Sequence, residues 1–169
     1  IYLVTPDVLV PRDDTEVLVG CALSFEGKGG VFADLCTGSG CVSISMLKFI
    51  EENGIIPKEN LPIVTMADIS KKALEVAKSN AEKLLSRHAL DCVRFVQSNL
   101  FENFGFSRQG HFDMIVSNPP YVPHNESLEL LSDGRSEPLL ALDGDVDLEG
   151  NYSHTEDGLE VIRNLNAQS

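Results

Sequence analysis

The sequence predicts a doubly wound, mostly parallel α/β sheet, and three observations lead to this fold class. Apolar runs of strand length recur along the chain, segments with helical spacing lie between several of them, and polar or glycine-rich residues follow each run. The four runs cover residues 31–35, 63–67, 92–96 and 112–116. Because ligands of such folds bind at the carboxyl ends of the strands, the residues that follow the runs are the first candidates for a site.

The length and charge of the chain limit its class. At 169 residues, the chain fits one domain over residues 1–169 and can bury a substantial core. Its formal charge of −13 at pH 7 disfavours an extended phosphate-binding surface, since affinity for nucleic acids comes largely from Lys and Arg. We therefore expect a basic or neutral partner and no direct contact with nucleic acid.

The spacing of the cysteines and the length of the apolar runs indicate the cellular compartment of the protein. The four cysteines show no CxxC spacing and the four histidines are scattered, so the sequence supports neither a zinc site nor a disulfide framework. No apolar run approaches the roughly 20 residues of a membrane span. The first residues lack the basic-then-apolar pattern of a signal peptide. The expectation is a cytoplasmic protein with reduced thiols and no membrane contact.

The first predicted elements are a hairpin and a helix. Residues 1–10 are β-branched and aromatic around a Pro6-Asp7 turn, which predicts a short N-terminal hairpin. Asp13, with Glu16 three positions later, resembles a capping box, and apolar residues at helical spacing follow up to residue 23. We therefore expect a helix that is capped by Asp13.

A glycine-rich turn connects the first predicted strand to a helix. Strand 31–35 runs into Cys36-Thr37-Gly38-Ser39-Gly40, and a helical segment follows over residues 41–50. This arrangement brings backbone N–H groups and a helix N-terminus against a nucleotide-like ligand. Glycine-rich turns also join strands to helices for packing reasons alone, so both interpretations stay open at this segment.

Polar residues also follow the next two strands. Strand 63–67 ends in Asp68, where a carboxylate can accept hydrogen bonds from both hydroxyls of a ribose. Alternatively, Asp68 caps the helix that begins near Ser70. Strand 92–96 leads to residues 98–101, from which Asn99 can touch the base of a ligand. All of these positions, with Asp34, fall at one edge of the predicted sheet.

The fourth strand leads into Ser117-Asn118-Pro119-Pro120-Tyr121. Two prolines remove N–H donors and fix the backbone, so this loop offers carbonyl oxygens held in place. A planar nitrogen could donate one N–H to the Asn118 side-chain oxygen and one to the Pro119 carbonyl, with Tyr121 face-on against it. Such hydrogen bonds strengthen as the nitrogen becomes positive. The segment predicts alkylation of a planar nitrogen; the alternative is an Asn-Pro-Pro turn after a core strand.

Several segments together resemble the release factor glutamine methyltransferases (PrmC/HemK family), which are class I S-adenosylmethionine-dependent methyltransferases. The segments are residues 11–16, 34–40, 67–70, 98–101 and 117–121, and Glu137-Pro138 with Ala141-Leu142. The resemblance implies a Rossmann-like methyltransferase sheet of strand order 3-2-1-4 and the cofactor S-adenosyl-L-methionine. Asn-Pro-Pro-Tyr is shared with nucleic-acid amino methyltransferases, so the Pro-Arg-x-x-Thr-Glu segment is what favours glutamine.

The resemblance also implies a substrate and residue roles. The acceptor would be the glutamine amide in the Gly-Gly-Gln loop of class I peptide chain release factors, methylated at N5 by a cytoplasmic monomer without a metal. The implied catalytic residues are Asn118, Pro119, Pro120 and Tyr121. The implied cofactor-binding residues are Asp34, Cys36, Thr37, Gly38, Ser39, Gly40, Asp68, Ile69, Asn99, Leu100 and Asn118. Thr37 to Gly40 would hold the methionine end, Asp68 the ribose, and Asn99 and Leu100 the adenine.

The sequence departs from the family at single positions. Cys36 stands where the family usually has glycine, a change that costs on the order of 1 kcal/mol if the position needs a positive φ. Asn99 stands where Asp is usual, and Asp13 replaces a second proline.

The segment 143–156 is a predicted acidic insertion. Its Asp143-x-Asp145-x-Asp147 pattern resembles the start of a calcium loop. Leu148 and His154 stand where such a loop requires Gly and Glu, so we do not expect calcium binding.

Two alternatives to the glutamine methyltransferase stay open. The family has an N-terminal helical domain, and it has further strands after a helix near Leu159. This sequence lacks both, so we expect a fragment of the catalytic domain. In such a fragment, strand 112–116 would form an exposed edge of the sheet. A fragment that binds cofactor without catalysing transfer is therefore one alternative. The other is an adenine N6 or guanine N2 methyltransferase of nucleic acids, which the charge disfavours.

Overall fold

The computed structural model describes residues 1–24, 30–104, 112–132, 134, 136–146 and 151–168. A parallel sheet lies at its centre, with strands β1 (Val31–Leu35), β2 (Ile63–Asp68), β3 (Val93–Gln97) and β4 (Met114–Ser117). The order β3-β2-β1-β4 confirms the predicted topology. Leu35 pairs with Ala67 on one side and with Ser117 on the other, so these strands end level with one another.

Burial explains why the strands could be predicted from apolar runs. The central strands β1 and β2 are each buried at four positions, as expected for parallel strands that are covered on both faces. β3 and β4 lie at the two edges of the described sheet and are less buried. β4 begins two residues later than predicted, and Asp113 before it accepts a hydrogen bond from the Val31 N–H at 2.9 Å.

Helices cover the sheet, and local sequence signals explain several of their ends. In the described part of the chain they are α1 (Asp13–Ser24), α2 (Cys41–Asn53), α3 (Lys71–Leu84), α4 (Arg87–Asp91), α5 (His124–Ser132) and α6 (Glu160–Gln168). The Ser70 and Ser86 hydroxyls cap α3 and α4 by accepting N–H bonds from Ala73 and Ala89. Gly54, at φ 60, ends α2. Among the described residues, no helix is long and apolar enough to cross a membrane.

The predicted N-terminal hairpin is wrong. Residues 1–10 contain no strand and only a turn in which Val8 N–H donates to the Thr5 carbonyl. The backbone of Leu3 instead binds the Asn80 side chain through both its N–H (2.6 Å) and its carbonyl (3.0 Å). The Tyr2 hydroxyl hydrogen-bonds to Ser45 at 2.7 Å. The segment is therefore held by its backbone against α3 and by the Tyr2 side chain against α2, and not by strand pairing with itself.

The start of α1 also differs from the prediction. Asp13 is the first helical residue, so it lies inside the first turn and not before it. The Arg12 N–H donates to the Thr15 hydroxyl at 3.3 Å. Thr15 thus fills the role that the capping-box pattern assigned to Glu16.

The apolar core lies on both faces of the sheet. Alternation along β1 sends Phe32 to a large cluster with residues of α1, α2, α3 and α4, and sends Ala33 and Leu35 to a smaller one. The smaller cluster contains Phe101 and Phe104, with Leu165 of α6 packed against it. Helices therefore lie against both faces, which is the arrangement that the term doubly wound describes.

Candidate active site

A cavity of about 320 Å³ opens at the carboxyl edge of the sheet. Residues that follow each of the four strands line it. The predicted site residues in its lining are Asp34, Cys36, Thr37, Gly38, Ser39, Asp68, Ile69, Asn99, Leu100, Asn118 and Pro120. Gly40, Pro119 and Tyr121 neighbour the lining in sequence but are not part of it. The predicted convergence at one edge is present in the structure.

The glycine-rich turn has a backbone that glycine favours. Cys36, Gly38 and Gly40 have φ values of 55, 54 and 77. A Cβ on Gly38 would meet nothing within 4 Å, whereas a Cβ on Gly40 would lie 2.8 Å from Ile44 Cδ1 and 3.2 Å from Ala77 Cβ. Gly40 therefore serves the packing of α2 on α3, while Gly38 leaves open space beside the cavity.

Asp68 holds the turn against the end of β2. One carboxylate oxygen accepts the Gly38 N–H and the other accepts the Ser70 N–H, both at 2.9 Å. Ser70, and not Asp68, caps α3. Burial raises the pKa of Asp68 above its usual value, and these N–H bonds oppose that effect. Each oxygen keeps a further lone pair, so the carboxylate can still accept hydroxyl groups from a ligand.

Asp34 is a buried acid in the same cavity wall. Its side chain is 2% exposed and accepts a hydrogen bond from the Thr37 hydroxyl at 2.8 Å. Burial raises the pKa of Asp34 to about 6, hydrogen bonds oppose the rise, and the nearby Asp68 carboxylate adds to it. The cavity therefore holds an acid that a cationic ligand group would stabilise in its charged form.

Ser39 offers a polar contact for a ligand. Its hydroxyl is buried, lies in the cavity wall and interacts with the Cys41 thiol. Because a thiol is a weak hydrogen-bonding group, a polar ligand in the cavity would be a better partner for this hydroxyl.

The loop after β4 brings the predicted acceptor residues to this cavity. The Ser117 hydroxyl donates to the Leu35 carbonyl at 2.9 Å, which ties the end of β4 to the end of β1. Asn118 and Pro120 then line the cavity. Tyr121 is 53% exposed and lies at the protein surface. The loop can therefore present its carbonyl oxygens between the cavity and solvent.

An ion pair joins two of the segments that carry the family resemblance. Arg12 Nη2 donates to both carboxylate oxygens of Glu137, at 2.9 and 3.1 Å, and the Val10 N–H donates to the same carboxylate at 3.1 Å. Glu137 is 8% exposed, so three hydrogen bonds from two donor groups compensate its burial. Pro11 and Pro138, which neighbour the pair, both line the cavity.

Sequence reasoning missed part of the wall. Asp7, Val8 and Leu9 line the cavity from the N-terminal segment, and Val161 and Asn164 line it from α6. No local pattern marks these residues, because only the tertiary fold brings them to the sheet edge. The spacing of Val161 and Asn164, three residues apart on a helix, is the one weak signal available.

The described aspartates of the acidic segment 143–156 accept hydrogen bonds from the protein itself. Oxygens of Asp143 and Asp145 accept hydrogen bonds from the backbone N–H groups of Asp145 and His124. Asp147 and Leu148 lie outside the described residues. Within the described ranges, no group of His, Cys, Asp and Glu is arranged to hold a metal.

Comparison with known proteins identifies relatives. The chain is 41% identical over 146 residues to a release factor glutamine methyltransferase of Leptospira interrogans. The matched region covers 84% of this chain and 46% of the relative. It is 36% identical over 147 residues to the protein of the same name from Geobacter sulfurreducens, covering 86% and 46%. A bifunctional methyltransferase of Rickettsia bellii is 34% identical over 175 residues, covering 86% and 29%. The chain thus spans about half the length, or less, of these relatives.

A family model agrees with these relatives. The model described as the methyltransferase small domain matches residues 13–133, a range that includes the glycine-rich turn, Asp68 and Asn118. Most of the cavity wall therefore lies inside the matched region. The matches confirm the resemblance drawn from the motifs, and the chain belongs to the methyltransferase small domain family.

Proposed function

We propose that residues 1–169 form the catalytic domain of an S-adenosylmethionine-dependent methyltransferase. Its substrate would be the glutamine in the Gly-Gly-Gln motif of class I peptide chain release factors, methylated at N5. One observation carries the proposal: Asn118 and Pro120 line the same cavity as Asp68 and the glycine-rich turn. A methyl donor and a planar nitrogen would therefore meet in one space. The names of two relatives support glutamine as the acceptor.

The cavity residues fit S-adenosyl-L-methionine. Thr37, Gly38 and Ser39 would hold its methionine end, where the buried Ser39 hydroxyl offers a polar contact. Asp34 would stabilise the ammonium group, and Asp68 would accept the ribose hydroxyls. Ile69, Asn99 and Leu100 would border the adenine. The bound cofactor would supply an electrophilic methyl group on a sulfonium.

The loop residues would prepare the acceptor nitrogen. An amide nitrogen is a poor nucleophile because its lone pair is delocalised. The Asn118 side-chain oxygen and the Pro119 carbonyl would each accept one N–H, and both hydrogen bonds strengthen as the nitrogen gains positive charge. Tyr121 would pack on the amide plane. The nitrogen would lose its proton to water after transfer, and the rate would depend mainly on positioning.

The setting of this reaction is part of the proposal. We infer a cytoplasmic monomer. Its partner would be a protein, because the charge of −13 disfavours binding along a phosphate backbone. Pro11 and Pro138, which neighbour the Arg12–Glu137 pair in sequence, line the same cavity as Asn118. This pair would keep that part of the cavity wall in one shape.

Two substitutions separate cofactor binding from transfer. Calorimetric titration with S-adenosylhomocysteine should show binding that Asp68→Ala weakens at least tenfold, since the variant loses both the turn contact and the ribose acceptor. Asn118→Ala should keep that affinity within about threefold and abolish methylation of a release factor. Equal losses of binding and transfer in Asn118→Ala would contradict its assignment to the acceptor.

The substrate is tested separately. Labelled methyl groups should enter an intact release factor, and should not enter one whose Gly-Gly-Gln glutamine is replaced by glutamate. Incorporation into RNA or DNA would reject the proposal in favour of a nucleic-acid methyltransferase. Binding of S-adenosylhomocysteine without transfer to any of these acceptors would indicate a domain that only binds cofactor.

A further inference from the structure

Three segments pack backbone to backbone directly behind Tyr121. They are residues 121–124, 142–145 and 157–158. The Val122 N–H donates to the Leu142 carbonyl, and the Gly144 N–H donates to the Val122 carbonyl, both at 2.9 Å. A Cβ on Gly158 would lie 2.3 Å from the Tyr121 carbonyl oxygen. The end of the acceptor loop therefore has no room to move unless the other two segments also move.

Asp145 lies at the centre of this contact. It is fully buried, and one carboxylate oxygen accepts the N–H of Gly158 at 2.7 Å, the N–H of Asp157 at 3.3 Å and the Thr155 hydroxyl at 2.8 Å. The other oxygen accepts the His124 N–H at 3.1 Å. A single carboxylate thus joins the segment after Tyr121 to the segment that contacts Tyr121.

Asp143 holds the His124 side chain. It is 1% exposed, and one of its oxygens lies 2.5 Å from His124 Nδ1 while the other accepts the Asp145 N–H at 2.9 Å. The His124 ring stacks on Tyr152 of the insertion, with centroids 4.2 Å apart and planes at 21°. Backbone and side chain of His124 are therefore both fixed by the 143–156 segment.

Asp143 and Asp145 are both buried acids, and the burial of acids is unfavourable unless hydrogen bonds compensate it. Replacing such groups by apolar residues is often neutral or stabilising. Burial alone would raise the pKa of Asp145, but the hydrogen bonds from Thr155 and from three N–H groups outweigh it and hold the pKa below its usual value. Asp145 is therefore charged at neutral pH and accepts hydrogen bonds from all four of these donors.

We propose that Asp145, assisted by Asp143, is a positioning residue for the acceptor site, because it fixes residues 121–124 relative to Gly158. The inference rests on the proposed function. In this role Asp145 acts on transfer, although Val146, its neighbour in the same segment, lines the cavity. Asp145 does not line the cavity, whereas the loop that it fixes continues from Asn118 and Pro120, which do.

The test compares Asp145→Asn and Asp145→Ala with the unsubstituted protein, at its natural length. An Asn side chain keeps one acceptor oxygen, so it can serve either His124 or Gly158 but not both. We expect kcat for methylation of a release factor to fall about tenfold in Asp145→Asn and up to about 100-fold in Asp145→Ala, the scale of a small misplacement. The Kd for S-adenosylhomocysteine should change less than threefold. Hydrogen exchange should accelerate in the peptide that contains residues 121–124.

Controls separate this role from general destabilisation. Glu129→Gln makes the same chemical change as Asp145→Asn at an exposed position of α5, and should leave kcat and exchange unchanged. Circular dichroism shows whether either variant fails to fold. If Asp145→Ala does not fold, the kcat and the cofactor affinity of Asp145→Asn, the milder change, test the inference. An unchanged kcat in Asp145→Asn, or an equal loss of cofactor affinity, would overturn the inference. Absence of methylation by the unsubstituted protein would instead reject the proposed function, and the inference with it.

Discussion

Asp34 and Asp68 line one cavity, but their carboxyl groups are held in different ways. Asp68 receives two backbone N–H bonds, which favour its charged form. Asp34 is more deeply buried, receives the Thr37 hydroxyl, and has the Asp68 charge nearby. Burial raises the pKa of both acids, but Asp34 is the more deeply buried, so its ionisation is the more sensitive to what occupies the cavity.

We predict that Asp34 makes the ligand-free protein less stable as the pH rises toward neutrality. Its folded pKa of about 6 is above the usual 3.8, so its contribution is fully present below pH 3.8 and is lost as the pH passes about 6. The difference corresponds to on the order of 3 kcal/mol. Urea denaturation between pH 4 and pH 7 should show this slope reduced in Asp34→Asn. The exposed Asp14→Asn should retain the slope, and an equal slope in both variants would refute the prediction.

Cys36 occupies a position whose backbone favours glycine. Its φ is 55, so it meets the condition of a positive φ under which a residue other than glycine costs on the order of 1 kcal/mol. Burial raises the pKa of its thiol to about 12, and the charge of Asp68 adds to the rise. The thiol is therefore neutral at physiological pH and a weak nucleophile, so the side chain acts through shape and not through reactivity.

At the scale of elements, the turn between β1 and α2 uses one glycine for packing and another for the cavity. Gly40 packs between α2 and α3, and Gly38 lines the cavity. We predict that Gly40→Ala destabilises the protein more than Gly38→Ala. Both glycines have positive φ, so each variant carries a backbone cost of about 1–2 kcal/mol. Only the Cβ at Gly40 meets α2 and α3, which adds about 1–3 kcal/mol of overpacking.

Chemical denaturation of the two variants, which serve as controls for each other, measures this difference. Equal losses would show that φ alone sets the cost at both positions. Titration with S-adenosylhomocysteine should give the reverse order. A methyl group on Gly38 points into open space beside the cavity, so it should weaken binding more than one on Gly40.

Elements were predictable where their signals were local. β1 has the predicted bounds, and β2 was one residue longer, because buried parallel strands are continuous apolar runs. α4 and α5 were not predicted, since they have only five and nine residues and weak periodicity. The prediction of a hairpin at residues 1–10 was wrong for another reason. The backbone of Leu3 binds the side chain of Asn80, and no local pattern reveals that contact.

At the scale of the whole molecule, the cavity wall runs from Asp7 to Asn164. The strand-end residues could be predicted, because parallel topology alone places them together. The wall from the N-terminal segment could not, because it depends on contacts such as the Arg12–Glu137 pair, which spans 125 positions of the chain. The wall from α6 could not either, because it depends on the packing of Leu165 against the cluster that contains Ala33 and Leu35. These parts of the site therefore depend on long-range contacts that no local pattern marks.

Asn80 is the residue on which the N-terminal wall depends. It is fully buried and binds Leu3 through two hydrogen bonds, and its amide also donates to the Ser39 carbonyl at 2.9 Å. Asn80→Ala leaves these groups without partners, so we predict a loss of about 2–4 kcal/mol in the free energy of unfolding. Exchange should accelerate over residues 1–10, and affinity for S-adenosylhomocysteine should fall, since Ser39 is in the cavity wall. Ser79→Ala, on the exposed side of α3, should do neither. Unchanged protection of residues 1–10 in Asn80→Ala would mean that Tyr2 and Lys72 hold the segment without Asn80.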